Sequence, residues 1–197
     1  MLIDFSKTEA PLRYKLMSQS IVPRPIAWIV TENGGLNIAP FSFFSGIASN
    51  PPTVMVAVGH KQDGTPKDTL RNIRERKTCV ICSVTPAALE KMHYSSAELD
   101  HAVDEAEHFD IETVRLYEEY PPMIKGAPTA FFCTLAQEVP LEGSKTIPLF
   151  LNIDHMYLDD AYANEKMHFD LDVVARMGKA YATLGEHIPA PEIPKNS

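Results

Sequence analysis

The sequence predicts a mainly β fold with inserted helices, arranged as a barrel rather than as alternating βαβ units. Apolar, β-rich runs of strand length recur along the 197 residues, and helical periodicity is confined to short segments between them. No internal repeat or low-complexity segment interrupts this order. The length favours one domain spanning residues 1–197, with a core large enough to need no disulfide or metal.

The first two predicted strands form a hairpin. Residues 25–31 are apolar and β-rich, and Asn33 and Gly34 supply the positive φ angles of a tight turn. Leu36 to Phe44 is then predicted as the return strand. Because Pro40 cannot donate to a β-ladder, this strand is expected to bulge or to run along a sheet edge there, which exposes backbone groups to a ligand.

A strand, a helix and a further strand follow. Thr53 to Gly59 is a near-continuous apolar run, which predicts a central strand buried on both faces. Residues 67–76 carry apolar side chains at helical spacing, and Thr65 or Asp68 is placed to cap the helix start. Thr78 to Val84 is predicted as the next strand.

The second half continues the pattern. Thr85 and Pro86 open a helix that reaches His93, and the acidic residues 94–120 are expected to form one or two short helices. Residues 129–139 and 148–158 are predicted strands. Residues 170–181 are predicted as a helix, with Asp170 as its N-cap and apolar residues on one face.

Composition limits the partners. The formal charge of −8 and a pI near 5.3 argue against nonspecific binding to nucleic acid, although a local basic patch can still hold one phosphate. The three cysteines form an odd set without framework spacing, and the N-terminus lacks the pattern of a secretory signal, so a cytoplasmic location is expected. No apolar run approaches the roughly 18 to 20 residues that cross a bilayer.

Three motifs in close order carry the functional prediction: Val-Pro-Arg-Pro-Ile-Ala-Trp at 22–28, Asn-Ile-Ala-Pro-Phe-Ser-Phe-Phe at 37–44 and Lys-Asp-Thr-Leu-Arg-Asn at 67–72. With them the chain resembles the flavin reductase-like family of FMN-binding split barrels, which includes flavoredoxin-type proteins. The resemblance continues through residues 120–124, 128–132 and 174–181, where Lys179 stands in place of the second glycine of the family pattern. It implies a Greek-key split β-barrel and a homodimer with FMN near the subunit interface.

The residues are compatible with such a cofactor. The start of the predicted helix at Lys67 offers free N–H groups and a cation to a phosphate, and Arg24 and Ser42 could join from the barrel. The small residues and phenylalanines of the 37–44 segment offer backbone and aromatic contacts to the ring. Alternation places Phe41 and Phe43 on one face, with Ser42 and Phe44 on the other. The cofactor-binding residues that these segments predict are Arg24, Trp28, Asn37, Ala39, Pro40, Phe41, Ser42, Phe43, Lys67, Asp68, Thr69 and Asn72. Trp28 is equally compatible with packing in the barrel wall.

The expected activity is hydride transfer from NAD(P)H to bound FMN, with no catalytic side chain required because the cofactor carries the chemistry. Two alternatives remain open: an FMN-bearing electron carrier reduced by a partner protein, and a noncatalytic split-barrel binding protein without flavin. No dinucleotide fingerprint distinguishes NADH from NADPH.

Two other patterns favour ordinary structure. Cys79 and Cys82 are three residues apart on a strand, which places them on opposite faces and favours packing over a redox or metal pair. His101, Glu105 and His108 would share a helical face able to hold a divalent metal, but a surface charge run is the more ordinary explanation. No metal is therefore expected.

Overall fold

The computed structural model describes residues 1–193. Its strands, in chain order, are β1 (Ala27–Glu32), β2 (Leu36–Phe41), β3 (Phe44–Ser49), β4 (Pro52–Gly59), β5 (Thr78–Cys82), β6 (Thr113–Val114), β7 (Met123–Ile124), β8 (Thr129–Glu138), β9 (Thr146–Leu158), β10 (Val174–Met177) and β11 (Ala180–Thr183). Its helices are α1 (Ala10–Ser20), α2 (Asp68–Arg76), α3 (Leu89–Tyr94) and α4 (Glu105–His108), and two short 3-10 turns cover Phe5–Lys7 and Pro86–Ala88. None of the helices within residues 1–193 has the length and hydropathy that spanning a bilayer requires.

Seven strands form one antiparallel sheet in the order β2-β1-β5-β8-β9-β4-β3. The sheet curls so that its two ends approach each other, and the Ala57 amide of β4 donates to the Phe43 carbonyl just beyond β2, at 2.9 Å. The mainly β split-barrel fold with inserted helices is therefore confirmed. Its curvature brings the edge strand β2 near the loop after β4 and the helix that follows it.

Two apolar clusters lie on opposite faces of this sheet. The inner cluster contains alternate residues of β1, β4, β5, β8 and β9, and α2 closes it by inserting Leu70 and Ile73. Such burial contributes roughly 1.5–3 kcal/mol for each large apolar side chain. Packing against the barrel thus fixes where α2 begins.

The outer cluster covers the opposite face of β2, β1, β5 and β8. Its outer layer comes from the segment between β5 and β8, which contributes Met92, Tyr120 and Met123 among others. This segment contains α3, α4 and the small β6–β7 pair. Helices within the acidic stretch 94–120 were expected, and α4 is one, whereas the β6 strand was not predicted.

The segment predicted as a helix over Asp170–Tyr181 is instead the β10–β11 hairpin, so that prediction is wrong. Arg24 and Arg176 exchange two backbone hydrogen bonds, with N–O distances of 3.1 and 2.8 Å, which hold β10 in extended geometry. Gly178 has a φ of +55° in the turn, a conformation that glycine adopts without steric cost. The spacing of apolar residues in this short segment does not by itself distinguish a helix face from a β-hairpin.

The predicted strand Leu36–Phe44 ends at Phe41, and the separate strand β3 begins at Phe44. Because the chain leaves β geometry between them, Phe41 and Phe44 pack against the same inner cluster. Phe43 instead packs edge-on to Tyr14, with ring centroids 6.1 Å apart. The alternation predicted for this segment is therefore wrong, and β3 was missed.

Two further expectations concern strand position. Pro40 lies in the edge strand β2, as its missing N–H predicted. Strand β4 lies between β9 and β3 but alternates between buried and half-buried residues, so its burial on both faces is not observed. Strands β1, β5 and β8 contribute to both apolar clusters, and β1 is the one of them whose five residues from Ala27 to Thr31 are all buried. It lies between β2 and β5, where neighbouring layers cover both sides.

Candidate functional site

Strand β2 and the start of α2 meet at one open cleft, here called the β2–α2 cleft. Residues of four segments line it: Asn37, Ala39, Pro40 and Phe41 from β2, Lys61 from the loop after β4, Lys67, Asp68 and Thr69 at the start of α2, and residues 95–99 with Glu105 from the β5–β8 segment. The curl of the sheet places the second motif, at 37–44, next to the third, at 67–72. These segments are 30 residues apart in the chain, and no local sequence pattern shows their contact.

A hydrogen-bond network fixes the polar side chains behind the cleft. Asn37 Nδ2 donates to Thr69 Oγ1 at 2.9 Å and approaches Thr31 Oγ1 at 3.1 Å. Asn72 Nδ2 also donates to Thr31 Oγ1, at 3.1 Å. Thr31, Thr69 and Asn72 are buried, so the network ties β1, β2 and α2 together in a dry environment, where such bonds are strongest.

Cations and carboxylates alternate around the start of α2. Lys61 Nζ lies 2.9 Å from Asp68 Oδ2, and Arg71 Nη2 lies 2.8 Å from Asp68 Oδ1. The second contact is an ion pair by distance but lacks hydrogen-bond geometry, since Asp68 Oδ1 has no donor among the described residues. Lys67 Nζ is 3.7 Å from Glu98 in an exposed pair, which contributes little by itself. Lys67 is therefore available to an incoming anion.

Helix α2 begins without a side-chain cap at Lys67, so neither Thr65 nor Asp68 caps it as expected. Thr65 instead donates its N–H and hydroxyl to Asp63. The first N–H groups of an α-helix have no acceptor within the helix. At α2 these groups belong to residues that line the cleft, beside Lys67 and the Thr69 hydroxyl.

Glu105 reaches the cleft from the opposite side. Its Oε2 accepts a 2.6 Å hydrogen bond from the Ile38 N–H, and Asp104 Oδ2 accepts one of 3.0 Å from the Leu36 N–H. Burial raises the pKa of Glu105 to about 7, and the nearby carboxylates of Asp68 and Asp104 act in the same direction, whereas the Ile38 hydrogen bond lowers it. Glu105 is thus a carboxyl group that changes charge near neutral pH.

Sequence reasoning missed this role and grouped Glu105 with two histidines as a metal alternative. Helix α4 begins at Glu105, so His101 is not on it and the three residues do not share a helical face. The sequence signal that could have indicated this segment is Asp104, a helix N-cap residue. Its side chain also accepts hydrogen bonds from the Ala106 and Glu107 amides. The free amides of a sheet edge need acceptors, and this acidic segment provides them.

A second cleft adjoins the first across Pro40, Phe41 and Ser96, and is here called the Arg176 cleft. Its other lining residues are Tyr14, Ile26, Ser42, Met92, His93, Arg176 and Tyr181. Together the two clefts form a groove along the outer edge of β2 and the loop that follows it. The polar end at α2 and the aromatic end at Tyr181 lie on either side of Pro40 and Phe41.

The predicted cofactor residues are divided between these surfaces. Seven of them line the β2–α2 cleft, Ser42 lines the Arg176 cleft together with Pro40 and Phe41, and Asn72 supports the first cleft through Thr31. Like Asn72, the three remaining predicted residues, Arg24, Phe43 and Trp28, line neither cleft.

Arg24 is buried and serves the backbone. Its Nη1 donates to the carbonyls of Ser18 and Ile21 at the end of α1, and its Nε lies 3.4 Å from Ser42 Oγ. Phe43 packs beside it, with the guanidinium carbon 5.6 Å from the ring centroid. These contacts fix the position of α1 and orient Ser42 rather than presenting Arg24 to the groove.

Trp28 packs in the barrel wall, which is one of the two alternatives stated for it. It is 1% exposed and belongs to the outer cluster, and its Nε1 donates to Ser95 Oγ at 3.0 Å. Ser95 itself lines the β2–α2 cleft. Trp28 therefore acts on the site through the segment that it holds.

The cysteines are buried and reduced. Cys79 belongs to the inner cluster and Cys82 to the outer one, which confirms that they lie on opposite faces. Burial raises the pKa of Cys82 to about 12, so this thiol stays protonated and unreactive near neutral pH.

Comparisons with known proteins agree with this geometry. The family model described as the flavin reductase like domain matches residues 17–174. An uncharacterized protein of Deinococcus radiodurans is 35% identical over 89% of this chain and 81% of its own length. Among solved structures, nitrilotriacetate monooxygenase component B from Bacillus cereus superposes with a TM-score of 0.90 at 28% identity, covering 96% of this chain and 98% of that one. The 2-nitrobenzoate 2-nitroreductase NbaA of Pseudomonas fluorescens gives 0.87 at 27% identity, covering 98% and 96%.

Proposed function

Because the chain belongs to the flavin reductase-like family, we propose that it is an FMN-binding oxidoreductase that transfers hydride from NAD(P)H to flavin. The observation that carries the proposal is the meeting of β2 with the uncapped start of α2 at one cleft. Two motifs that resemble the family's cofactor motifs thereby form one continuous surface.

The donor set of the cleft fits FMN. Free N–H groups at the start of α2, the Lys67 ammonium and the Thr69 hydroxyl match a phosphate. Pro40 and Phe41 offer apolar contact to a planar ring, and the peptide groups of the edge strand offer hydrogen bonds to its polar rim. Glu98 pairs with Lys67 and would be displaced by the phosphate. Because that pair is exposed, its loss costs little.

FMN would supply a two-electron acceptor, so the chain needs no acid–base triad of its own. The protein's part is to hold the two reactants in register, which reduces the entropic barrier. Asn37 keeps the Thr69 hydroxyl directed by a 2.9 Å hydrogen bond, and α2 holds Thr69 through buried Leu70 and Ile73. Glu105 can hold or release a proton at the cleft wall near neutral pH.

We also propose a homodimer and a cytoplasmic location. The edge strand β3 is largely exposed, and α1 presents Leu12, Tyr14 and Met17 to solvent. An apolar face joined to an unpaired strand edge favours association with a second copy. The odd number of cysteines without framework spacing supports a reducing compartment.

The proposal is tested by loading the purified protein with FMN and mixing it anaerobically with NADH or NADPH. We expect flavin fluorescence to be quenched on binding, and the absorbance of the oxidised flavin to bleach with a saturable rate. Lys67→Gln is expected to weaken FMN binding by about tenfold, the effect of losing one charge-assisted hydrogen bond. Lys166→Gln, which removes an exposed charge outside both clefts and outside α1, is the matched control and should bind FMN normally.

The outcomes separate the alternatives. Protein that takes up no FMN would indicate a noncatalytic barrel. Protein that binds FMN, reacts negligibly with either nicotinamide and is reduced rapidly by a partner reductase would be an electron carrier.

A further inference from the structure

The Arg176 cleft is positively charged within an acidic protein. Its lining contains Arg176 and His93 but no Asp or Glu, although the chain carries a formal charge of −8. Arg176 is half-buried, and neither it nor Arg24 forms an ion pair with a carboxylate in the described part of the chain. A charge that is partly removed from water and lacks a counter-ion is energetically costly unless an anion is supplied from outside.

The guanidinium is held in a fixed position. Arg176 Nε donates to the Gly178 carbonyl at 3.0 Å, and its central carbon lies 4.5 Å from the Tyr181 ring centroid. This leaves the terminal nitrogens of the guanidinium as free donors, the fork that binds phosphate or carboxylate in bidentate geometry. Tyr181 OH in turn contacts His93 Nδ1 at 2.9 Å, which adds a polar edge to the aromatic wall.

Repulsion reinforces this arrangement. The pKa of Arg24 is lowered, chiefly by burial and also by the positive charge of Arg176, while Tyr14 opposes the shift. Arg24 itself donates hydrogen bonds to the carbonyls at the end of α1. An anion bound to Arg176 would therefore relieve two like charges together.

The position of the cleft limits what it can bind. It shares Pro40, Phe41 and Ser96 with the β2–α2 cleft, so a molecule bound there would lie beside a flavin that is anchored by its phosphate at α2. Tyr14, Phe41 and Tyr181 offer aromatic surface around the charge. The surface suits a planar compound that carries an anionic group.

We propose that the Arg176 cleft binds the anionic group of the substrate that exchanges electrons with the flavin. The proposal rests on the proposed function and adds the residues that select the substrate. The anionic group belongs either to a phosphate of the nicotinamide donor or to the carboxylate or sulfonate of an acceptor, and the experiment distinguishes these sources.

The test uses paired substrates that differ in charge. In the donor arm, FMN-loaded protein is reduced anaerobically by reduced nicotinamide mononucleotide or by the uncharged reduced nicotinamide riboside, which lacks the phosphate. Each gives up a hydride and becomes the oxidised pyridinium. In the acceptor arm, the reduced protein passes two electrons and two protons to naphthoquinone or to naphthoquinone sulfonate, forming the hydroquinone. Each reaction is measured in the wild type, in Arg176→Gln and in Lys166→Gln, which removes an exposed charge outside both clefts.

We expect Arg176→Gln to raise the KM of the anionic member of one pair by about tenfold or more, while the KM of its uncharged partner changes less than twofold. The KM of Arg176→Lys for the anionic substrate should lie between those of the wild type and Arg176→Gln. Lys166→Gln should match the wild type. If Arg176→Gln loses the preference for the anionic donor, the cleft is assigned to the nicotinamide phosphates. If it loses the preference for the anionic acceptor, the cleft is assigned to the acceptor.

Two results overturn the inference. One is that Arg176→Gln binds FMN normally and keeps the wild-type preference for the anionic substrate in both arms. That result would contradict the role of the cleft but would leave the proposed reductase activity intact. The other is a loss of FMN binding by folded Arg176→Gln, which would assign the charge to the flavin itself. If Arg176→Gln does not fold, His93→Glu places a negative charge at an exposed position of the same cleft, and it must weaken the anionic substrate selectively for the proposal to stand.

Discussion

At the scale of single residues, Glu105 shows how the fold changes the chemistry of a side chain. The residue is 7% exposed, and its carboxyl accepts from an edge-strand amide, with Asp68 and Asp104 nearby. Lys61 partly offsets these negative charges. A carboxyl group with a pKa of about 7 stays partly protonated under physiological conditions, which limits the negative charge beside Lys67 and Thr69, the residues proposed to bind phosphate.

Glu105→Gln is expected to change how stability depends on pH. The folded pKa of about 7 lies above the ordinary value of 4.5, so between these values the folded state binds more protons than the unfolded state. The free energy of unfolding contributed by this group therefore falls as pH rises through that window. Relative to the wild type, the variant should gain about 1 to 2 kcal/mol on going from pH 5 to pH 8.

Urea unfolding at several pH values measures this difference. Glu107→Gln, which removes an exposed carboxyl from the same helix, should run parallel to the wild type across the range. A constant offset between Glu105→Gln and the wild type would show that the carboxyl titrates normally.

Single residues also show what sequence could and could not predict. The position of Lys67 and Thr69 at a helix start that faces a cleft was predicted, because free N–H groups and a nearby cation can be recognised locally. The sequence did not predict the structural role of Arg24, whose guanidinium donates hydrogen bonds to carbonyls at the end of α1. Those helix-end carbonyls need donors, but the sequence does not show which arginine supplies them.

At the scale of elements, the β5–β8 segment completes the site by docking on the sheet edge. Asp104 both caps α4 and contacts β2. Its Oδ1 accepts from the Ala106 and Glu107 amides at 2.9 and 3.1 Å, and its Oδ2 accepts from the Leu36 amide. The start of α4 is thereby held against β2. This contact positions Glu105 and one wall of the β2–α2 cleft.

Asp104→Ala is expected to lower the free energy of unfolding by about 2 kcal/mol, through loss of the helix cap and of a charged hydrogen bond to the strand. FMN affinity should fall as well, since the cleft wall loosens. Chemical denaturation and FMN titration measure the two effects. Asp100→Ala removes a similar exposed turn contact, to the Ala102 amide at 3.0 Å, and should cost much less. Equal losses in both variants would contradict the role given to the strand contact.

The elements that sequence predicted well are those with a strong local signal. The β1–β2 hairpin has a turn at Asn33 to Gly35, in which Gly34 alone has the predicted positive φ, and α2 has a clear amphipathic face. The β10–β11 hairpin was mistaken for a helix because its conformation depends on pairing with Arg24, about 150 residues earlier. Strand β3 was missed for a related reason: residues 44–49 are mostly exposed in this chain and lack alternation.

At the scale of the whole molecule, α1 and the edge strand β3 both carry exposed apolar side chains. Ile47 is 52% exposed on β3, a strand at the end of the sheet order. The groove along β2 begins close to this surface, since Tyr14 of α1 lines the Arg176 cleft. The proposed dimer would cover the apolar face and border the groove.

Ile47→Glu is expected to convert the proposed dimer into a monomer, because a buried charge without a partner opposes association. Light scattering coupled to gel filtration should show the mass falling by half. FMN affinity should fall with it, because the site lies near the interface in the proposed assembly. Leu141→Glu is the matched control: Leu141 is also 52% exposed, but it lies in the β8–β9 turn, and this variant should remain dimeric. A wild-type protein that is monomeric at assay concentration, or an Ile47→Glu variant that stays dimeric, would contradict the assignment of β3 to the interface.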